Sequence, residues 1–460
     1  MYQVKFNTPI KVHFIGIGGI SMSGLAEILL EAGFKISGSD LKQSALTDKL
    51  KNNGAEIMIG QRADNIKDPD LVVYTAAIHP DNPEYAEAVR RGIPMLSRAD
   101  LLGEIMTNYT EAVNIAGTHG KTTTTSMLSE ILIEAGKDPT VSVGGLLDAI
   151  GGNLRNGGRD YFVAEACEYT NSFLSFHPTI AVILNVEADH LDFFKDIDDI
   201  RNSFKRFVHT LPQDESGFLV INGDIKDVDF FTEGIGCGFT TFGLGENNDY
   251  TAHDISFDEL ARPTYTLVKH GKELGTISLK VHGRHNVIDS LAAIAAADRL
   301  GVSLEDIQAA LNGFEGVERR FEHKGVVNGC EILDDYAHHP QEIEATLKAA
   351  KQCRHNKLYV VFQPHTYTRT KALLPEFAKA LMAADELILA DIYAARETNT
   401  LGVSSADIAD LVNASGGKAT YIPDFEQIKK YILENVGEGD LLITMGAGNV
   451  VDIANQLTKG

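Results

Sequence analysis

The sequence predicts an α/β protein of three domains, and three observations carry that expectation. Short apolar runs with strand character alternate with helical stretches along all 460 residues, the pattern of mostly parallel sheets covered by helices. A glycine-rich turn follows an apolar strand in each third of the chain: Gly16–Gly24, Gly117–Gly120 and Gly446–Gly448. Single cores rarely grow past ~250–300 residues, so a chain of this length divides.

The first segment opens on the strand Lys11–Ile15. Gly16-Ile17-Gly18-Gly19-Ile20-Ser21-Met22-Ser23-Gly24 follows, then a helix over Leu25–Leu30 and a second strand, Phe34–Gly38, ending at Ser39-Asp40. Strand, glycine turn, helix, strand and acidic residue is the order of a dinucleotide-binding unit. Ser21 stands where the third glycine of that fingerprint belongs, so a diphosphate-bearing ligand is expected and a nicotinamide cofactor stays open. A helix around Arg98–Leu102 closes the segment, and residues 1–108 are taken as one domain.

The second segment, 109–317, begins with the strand Ala112–Ala116 and the loop Gly117-Thr118-His119-Gly120-Lys121-Thr122, which runs through Thr123 into a helix. Loop amides and a helix N-terminus face an anion, a lysine reaches outer phosphates, and a threonine hydroxyl can join Mg²⁺. The first glycine of the usual loop pattern is replaced by Ile115, but the strand–loop–helix context supports a nucleotide phosphate site. The strands Tyr161–Glu165 and Ile180–Asn185 place Glu165, with Glu168 three residues on, and Asp189-His190 at strand ends, where open α/β sheets hold ligands. Thr122, Glu165 and His190 are therefore candidate metal ligands. Mg²⁺ keeps several waters and needs few protein ligands, and a histidine among them points to tolerance of Mn²⁺. Gly283-Arg284-His285-Asn286 and an alanine-rich helix over Ser290–Ala297 close the segment.

The third segment, 318–460, has strands at Lys357–Phe362, Glu386–Ala390 and Asp440–Thr444. Asp334-Asp335-Tyr336-Ala337-His338-His339-Pro340 and Gln363-Pro364-His365-Thr366-Tyr367-Thr368-Arg369 each follow an apolar strand. Two His-rich turns at equivalent positions predict one shared ligand surface.

Composition narrows the function classes. Hydrophobic residues make up 44% and charged residues 23%, ordinary values for a globular protein. A formal charge of −23 argues against a nucleic-acid surface, yet leaves room for small anions at a helix N-terminus. Cys167, Cys237, Cys330 and Cys353 are scattered without a Cys-x-x-Cys pair, consistent with a reducing compartment and no structural zinc. The N-terminus lacks the apolar core of a signal peptide and no apolar run approaches the ~18 residues of a membrane span. A cytoplasmic protein without membrane insertion is expected.

Taken together, these motifs resemble the Mur ligase family of peptidoglycan synthesis. The resemblance covers nearly the whole chain and includes Gly38-Ser39-Asp40, Glu165-Ala166-Cys167-Glu168, Asp189-His190, Gly283–Val287, Glu318-Arg319-Arg320-Phe321, Asp334–Pro340 and Gly446-Ala447-Gly448-Asn449. In this family the phosphate loop takes the short Gly-Thr-x-Gly-Lys-Thr form, so Ile115 is in keeping. The family implies an N-terminal Rossmann-like UDP-binding domain, a central P-loop ATPase-type α/β domain and a C-terminal Rossmann-like domain that closes on them.

On that basis Gly16, Gly18, Gly19, Ile20 and Ser21 hold the UDP diphosphate, with Ser39, Asp40 and His79 near the nucleotide, which removes the nicotinamide reading. Gly117 through Thr123 cradle ATP, Asn286 borders the adenine, and Arg319 and Asp334 close over ATP. His338 and Arg369 lie where the amino acid is held, and His338 is the candidate base.

The branch most resembled adds L-alanine to UDP-N-acetylmuramate with ATP and Mg²⁺, through an acyl phosphate. A monomer or weak homodimer is expected. A ligase that joins a whole recycled peptide to the same nucleotide sugar and a silent nucleotide-binding regulator are the other readings. Ala337, Thr366, Asp289 and Cys167 depart from glycine, arginine, asparagine and aspartate of many relatives. Lys205 lies where sister ligases carry a carbamylated lysine, and an unmodified surface lysine is expected there.

Overall fold

The computed structural model describes residues 2–75, 77–190, 193–395 and 397–459. Among these residues there are three sheets, and helices cover them. In the first, β1 (Lys11–Ile15), β2 (Lys35–Asp40), β3 (Glu56–Ile59), β4 (Leu71–Tyr74) and β5 (Met95–Ser97) stand in the order β3-β2-β1-β4-β5, all parallel. The order reverses between β1 and β4, so the Gly16 turn at the end of β1 opens into the crevice where doubly wound sheets bind ligands.

The second sheet contains β6 (Glu111–Ala116), β7 (Thr140–Leu147), β8 (Gly152–Arg155), β9 (Tyr161–Ala166), β10 (Ile180–Ile183), β11 (Phe218–Asn222), β12 (Gly238–Phe242), β13 (Tyr250–Phe257), β14 (Pro263–Lys269) and β15 (Lys272–Ser278). Their order is β15-β14-β13-β12-β11-β10-β6-β9-β7-β8. β6 lies between β9 and β10, parallel to both, so the phosphate loop, Glu165 and the segment leading to His190 all leave the same edge. Strands β13–β15 are absent from the expectation above. Alternation in Pro263–Lys269, with Tyr265 and Leu267 buried, is the local signal for β14.

The third sheet contains β16 (Glu322–Val327), β17 (Cys330–Asp335), β18 (Leu358–Phe362), β19 (Glu386–Leu389), β20 (Ala419–Tyr421) and β21 (Leu441–Met445) in the order β16-β17-β21-β18-β19-β20. Only β16 runs antiparallel to its neighbour among the pairings described. Asp334 and Asp335 are the last residues of β17, one step earlier than the turn the sequence suggested.

The chain divides into two compact units. One comprises Met1–His253, Leu267–Gly275 and Ile288–Leu311; the other comprises Asp254–Thr266, Thr276–Val287 and Asn312–Gly460. Within the first unit one apolar core runs from Val12, Phe14 and Leu25 through Leu101 and Ile105 to Phe162, Phe173, Phe204 and Phe207. The helix Arg98–Met106 is the splice: Gly103 packs directly on the Ser175 carbonyl, and Ser175 Oγ donates to Asp100 at 2.8 Å. A sheet sharing its core with a neighbour does not separate as a unit of its own, which is why two units are seen where the motifs mark three segments. In the second unit, apolar clusters around Phe362 and Phe377 on one side and Ile388, Ile428 and Ile453 on the other sandwich the sheet.

Candidate active site

The first glycine turn is built by its own backbone. Gly16 and Ile17 N–H both donate to the Ser39 carbonyl at 2.9 Å, and Gly18 N–H donates to Asp40 Oδ2 at 2.9 Å. Gly16 has φ +84°, and a Cβ on Gly18 would overlap Asp40, so both positions require glycine. The helix Ile20–Glu31 starts five residues earlier than its apolar pattern, capped by Gly19; Ile20 is exposed and Ser21 Oγ accepts from Arg98 Nη1 at 3.2 Å.

Ser39 is fully buried and donates to Glu84 at 2.6 Å, so its hydroxyl acts as a strut beneath the turn. Glu84, also fully buried, receives further hydrogen bonds from His13, Asn65 and the Arg62 amide. His79 is exposed in the turn after β4.

The phosphate loop joins β6 to the helix Lys121–Glu134, which begins at Lys121 because Gly120, at φ +82°, caps it. His119 N–H donates to Asn185 Oδ1 at 2.8 Å, and Glu187 N–H donates to Thr118 Oγ1 at 3.0 Å, so the segment after β10 holds the loop's outer side. Lys121 Nζ donates to the carbonyls of Gly117 and Thr118 and forms an ion pair with Glu168 Oε2 at 3.1 Å. Glu168 is 2% exposed, and its other oxygen lies 3.9 Å from His190 Nε2.

His190 sits at φ +51° beside the Tyr169 ring, with centroids 4.7 Å apart. A non-glycine residue held there is strained and over-determined by its surroundings. Glu165 accepts from the Gly144 amide at 2.6 Å. The carboxylate next to the lysine and the imidazole is thus that of Glu168, three residues from the residue singled out as a candidate ligand. The pair Glu165/Glu168 was visible in sequence; which of them faces Lys121 follows from how the chain leaves β9.

No three His, Cys, Asp or Glu groups among the described residues converge tightly enough to hold a metal ion. Glu165, Glu168 and His190, with the Thr122 hydroxyl in the first helical turn, are the sparse kind of set that Mg²⁺ accepts when phosphates and water complete its shell. Lys205 Nζ lies 4.4 Å from the centre of the Phe230 ring, at cation–π distance.

In the second unit, Asn286 is 6% exposed, donates to the His282 carbonyl at 2.7 Å, and leaves Oδ1 buried without a partner. An exocyclic amine such as that of adenine would satisfy that oxygen. Arg319 donates to Asp334 at 3.0 Å and to the Gly446 and Gly448 carbonyls, tying the last glycine turn to β17. Burial pushes the Asp334 carboxyl up, against the pull of Arg319 and Thr444.

The two His-rich turns do meet. His338 and His365 ring centroids are 5.9 Å apart, Tyr336 is 5.4 Å from His338, and Tyr393 stacks on His365. His338 Nδ1 faces the Tyr336 carbonyl at 3.0 Å and Glu342 at 3.2 Å. Both are pure acceptors, so the proton sits on Nδ1 and leaves Nε2 as a lone-pair base. Burial pulls the His338 imidazole below its ordinary value, against Glu342. Arg369 Nη1 and His365 Nδ1 are buried without partners. His365 was quoted in the motif but not singled out.

The comparisons with known proteins agree along the chain. Residues 11–110 match the model of the Mur ligase family catalytic domain, 115–297 the Mur ligase middle domain, and 319–448 the Mur ligase glutamate ligase domain. The chain is 59% identical to the UDP-N-acetylmuramate–L-alanine ligase of Lachnospira eligens over 100% of both chains. Among solved structures it is similar to the UDP-N-acetylmuramate-alanine ligase of Thermotoga maritima, with 31% identity, a TM-score of 0.77 and 98% of each chain covered. It is also similar to a murein peptide ligase of Psychrobacter arcticus, at 25% identity, a TM-score of 0.66 and 98% coverage of each. With a phosphate loop, a diphosphate-type glycine turn and His-rich turns in family order, and with relatives matched end to end, this chain belongs to the Mur ligase family.

Proposed function

We propose that this enzyme, an ATP-dependent ligase of peptidoglycan precursor synthesis, joins L-alanine to the lactyl carboxylate of UDP-N-acetylmuramate. The reading is supported by the full-length likeness to the L. eligens ligase of that name. The observation that carries it in the structure is the line of groups within the first unit: Ser21 on the diphosphate turn, Arg98 on Ser21 and near Cys167, then Glu168 and Lys121. A nucleotide sugar anchored at the first turn would extend its carboxylate along that line toward the γ-phosphate.

Segments 1–108, 109–317 and 318–460 are proposed as the UDP-substrate, ATP and amino-acid domains. The carboxylate attacks the γ-phosphorus, the bond to the bridging oxygen breaks, and ADP leaves with that electron pair. Lys121 and the amides at the start of Lys121–Glu134 neutralise charge that spreads over the phosphoryl oxygens. Thr122, Glu165 and His190, with Glu168 beside Lys121, are the residues that would hold Mg²⁺, which would add charge neutralisation at the phosphates when bound. Arg369 is suited to the alanine carboxylate. Nε2 of His338 accepts the ammonium proton, the amine attacks the acyl phosphate carbonyl, and phosphate departs as the tetrahedral centre collapses.

No helix among the described residues is long and apolar enough to cross a membrane; a cytoplasmic enzyme, monomeric or weakly dimeric, is proposed. The test is phosphate release from ATP with UDP-N-acetylmuramate and either L-alanine or a tripeptide. Release with L-alanine is expected. Release with tripeptide alone would transfer the enzyme to the peptide-recycling branch, and release with neither would refute ligation.

A further inference from the structure

The imidazole of His338 leans on a carboxylate that the ligation step does not itself use. Pro340 opens the helix Pro340–Ala350, and Glu342 stands in its first turn. One oxygen of that carboxylate, Oε2, collects three N–H groups. It accepts from the His338 amide at 2.9 Å and the His339 amide at 3.1 Å, and it lies 3.2 Å from His338 Nδ1.

The same helix is fastened to the turn a second time. Asp335 Oδ1 accepts from the Ala337 amide at 2.9 Å and from Thr346 Oγ1, one turn beyond Glu342, at 3.0 Å. The backbone on both sides of His338 is therefore pinned. On its Nδ1 side the ring meets only acceptors, the Tyr336 carbonyl and Glu342.

Helix capping does not account for this arrangement. An acidic or amide side chain at the third helical position caps by reaching back to the amide of the capping residue, here His339. The contacts with both the amide and the ring of His338 go further, and tie the imidazole to the backbone that carries it.

We propose that Glu342 is a positioning residue for amide-bond formation: its carboxylate holds the His338 proton on Nδ1, leaves the Nε2 lone pair for the alanine ammonium, and stabilises the imidazolium that forms. In that step an N–H bond of the ammonium breaks, its electron pair stays on the amine nitrogen, and the proton bonds to Nε2. A carboxylate at the opposite ring nitrogen fixes the tautomer and offsets the new charge.

The surroundings make that offset matter. Burial acts first against an imidazolium at His338, and Arg369 and Arg320 add to it, while Glu342 and the Tyr336 carbonyl act in its favour. His365, with its ring centroid 5.9 Å away, is itself drawn toward the neutral form by burial and by Arg369. An amide at position 342 leaves the two arginines unopposed by charge. His338 then protonates only at lower pH and is a weaker base.

This rests on the reading of the His-rich turns as the L-alanine site, and the experiment separates the two. Ligation by the full chain is followed from pH 5 to 9 for the native protein, Glu342→Gln and Glu342→Ala. Glutamine serves the cap as well as glutamate does but carries no charge. Expected for E342Q are an unchanged urea midpoint, an unchanged KM for ATP and an acid limb of kcat displaced to lower pH. Its kcat should fall at least about tenfold, within the roughly 10²–10⁴-fold that a positioned base supplies. E342Q as active as the native protein, with its acid limb unmoved, is the pattern of a cap alone; it overturns the proposal and leaves the alanine site standing. No ligation by the native protein removes both. Should the Glu342 variants fail to fold, histidine-selective NMR of the native chain decides. The ring signal that disappears in His338→Asn must report the Nδ1–H tautomer, and an Nε2–H tautomer refutes the proposal.

Discussion

Replacing Lys121 by Met removes the cation from a nearly buried ion pair. Lys121 and Glu168 side chains are 15% and 2% exposed and lie 3.1 Å apart. After the change, the nearest remaining partner of Glu168 is His190, at 3.9 Å and beyond hydrogen-bond range. Breaking such a pair from one side costs about 3–5 kcal/mol.

The expected destabilisation of K121M is thus about 3–5 kcal/mol at pH 7. With no tryptophan in the chain, urea unfolding is followed by circular dichroism, comparing midpoints at matched slopes because a protein of two compact units need not unfold in one step. In the cycle with Glu168→Gln, the double variant should regain most of the stability while ligation stays at least about 10²-fold down, because phosphate stabilisation is gone. A K121M loss below about 1 kcal/mol would show that Glu168 is not held by Lys121 and would refute the reasoning.

The remaining predictions rest on separate groups. Burial pushes Glu84 up, but hydrogen bonds from His13, Ser39 and Asn65 outweigh it and hold the carboxyl below its ordinary value. Its stabilising contribution is therefore present above pH 4.5 and lost as pH falls through the folded value. Glu84→Gln should lose about 1–3 kcal/mol at pH 7 and flatten the acid limb of the stability profile. Arg319→Ala should destabilise by about 3–5 kcal/mol, since Asp334 is fully buried and two glycine carbonyls lose their donor; thermal unfolding reads this directly. Thr366, a β-branched residue at φ +69°, should gain about 1 kcal/mol on change to glycine, seen as a higher urea midpoint. His338→Asn should remove from the kcat profile an acid limb that lies below pH 6.5 in the native enzyme, because burial holds the imidazole neutral to lower pH.

Much of the site was legible because the chemistry needs residue types that are rare in that order. Glycines at 16, 18, 117 and 120 mark backbone that must approach an anion closely or adopt positive φ. The strands before them are continuous apolar runs because parallel sheets bury both faces. Helix starts were less legible: Ile20–Glu31 and Lys121–Glu134 begin within residues that resemble loop, since their caps are glycines and their first turns carry Ser21 and Thr122. Glu84 left no signal, because it lies 45 residues from Ser39 and is defined only by the donors that surround it.

Sequence alone was enough for the three α/β segments, the phosphate loop and the His-rich turns, because local backbone demands and hydrophobic period are written residue by residue. Tertiary structure decided which of Glu165 and Glu168 meets Lys121, that the first two sheets share one core, and that Asp289 lies under Gly120. Those outcomes depend on how strands leave a sheet and on burial, which belong to contacts between distant residues and to no single stretch of chain.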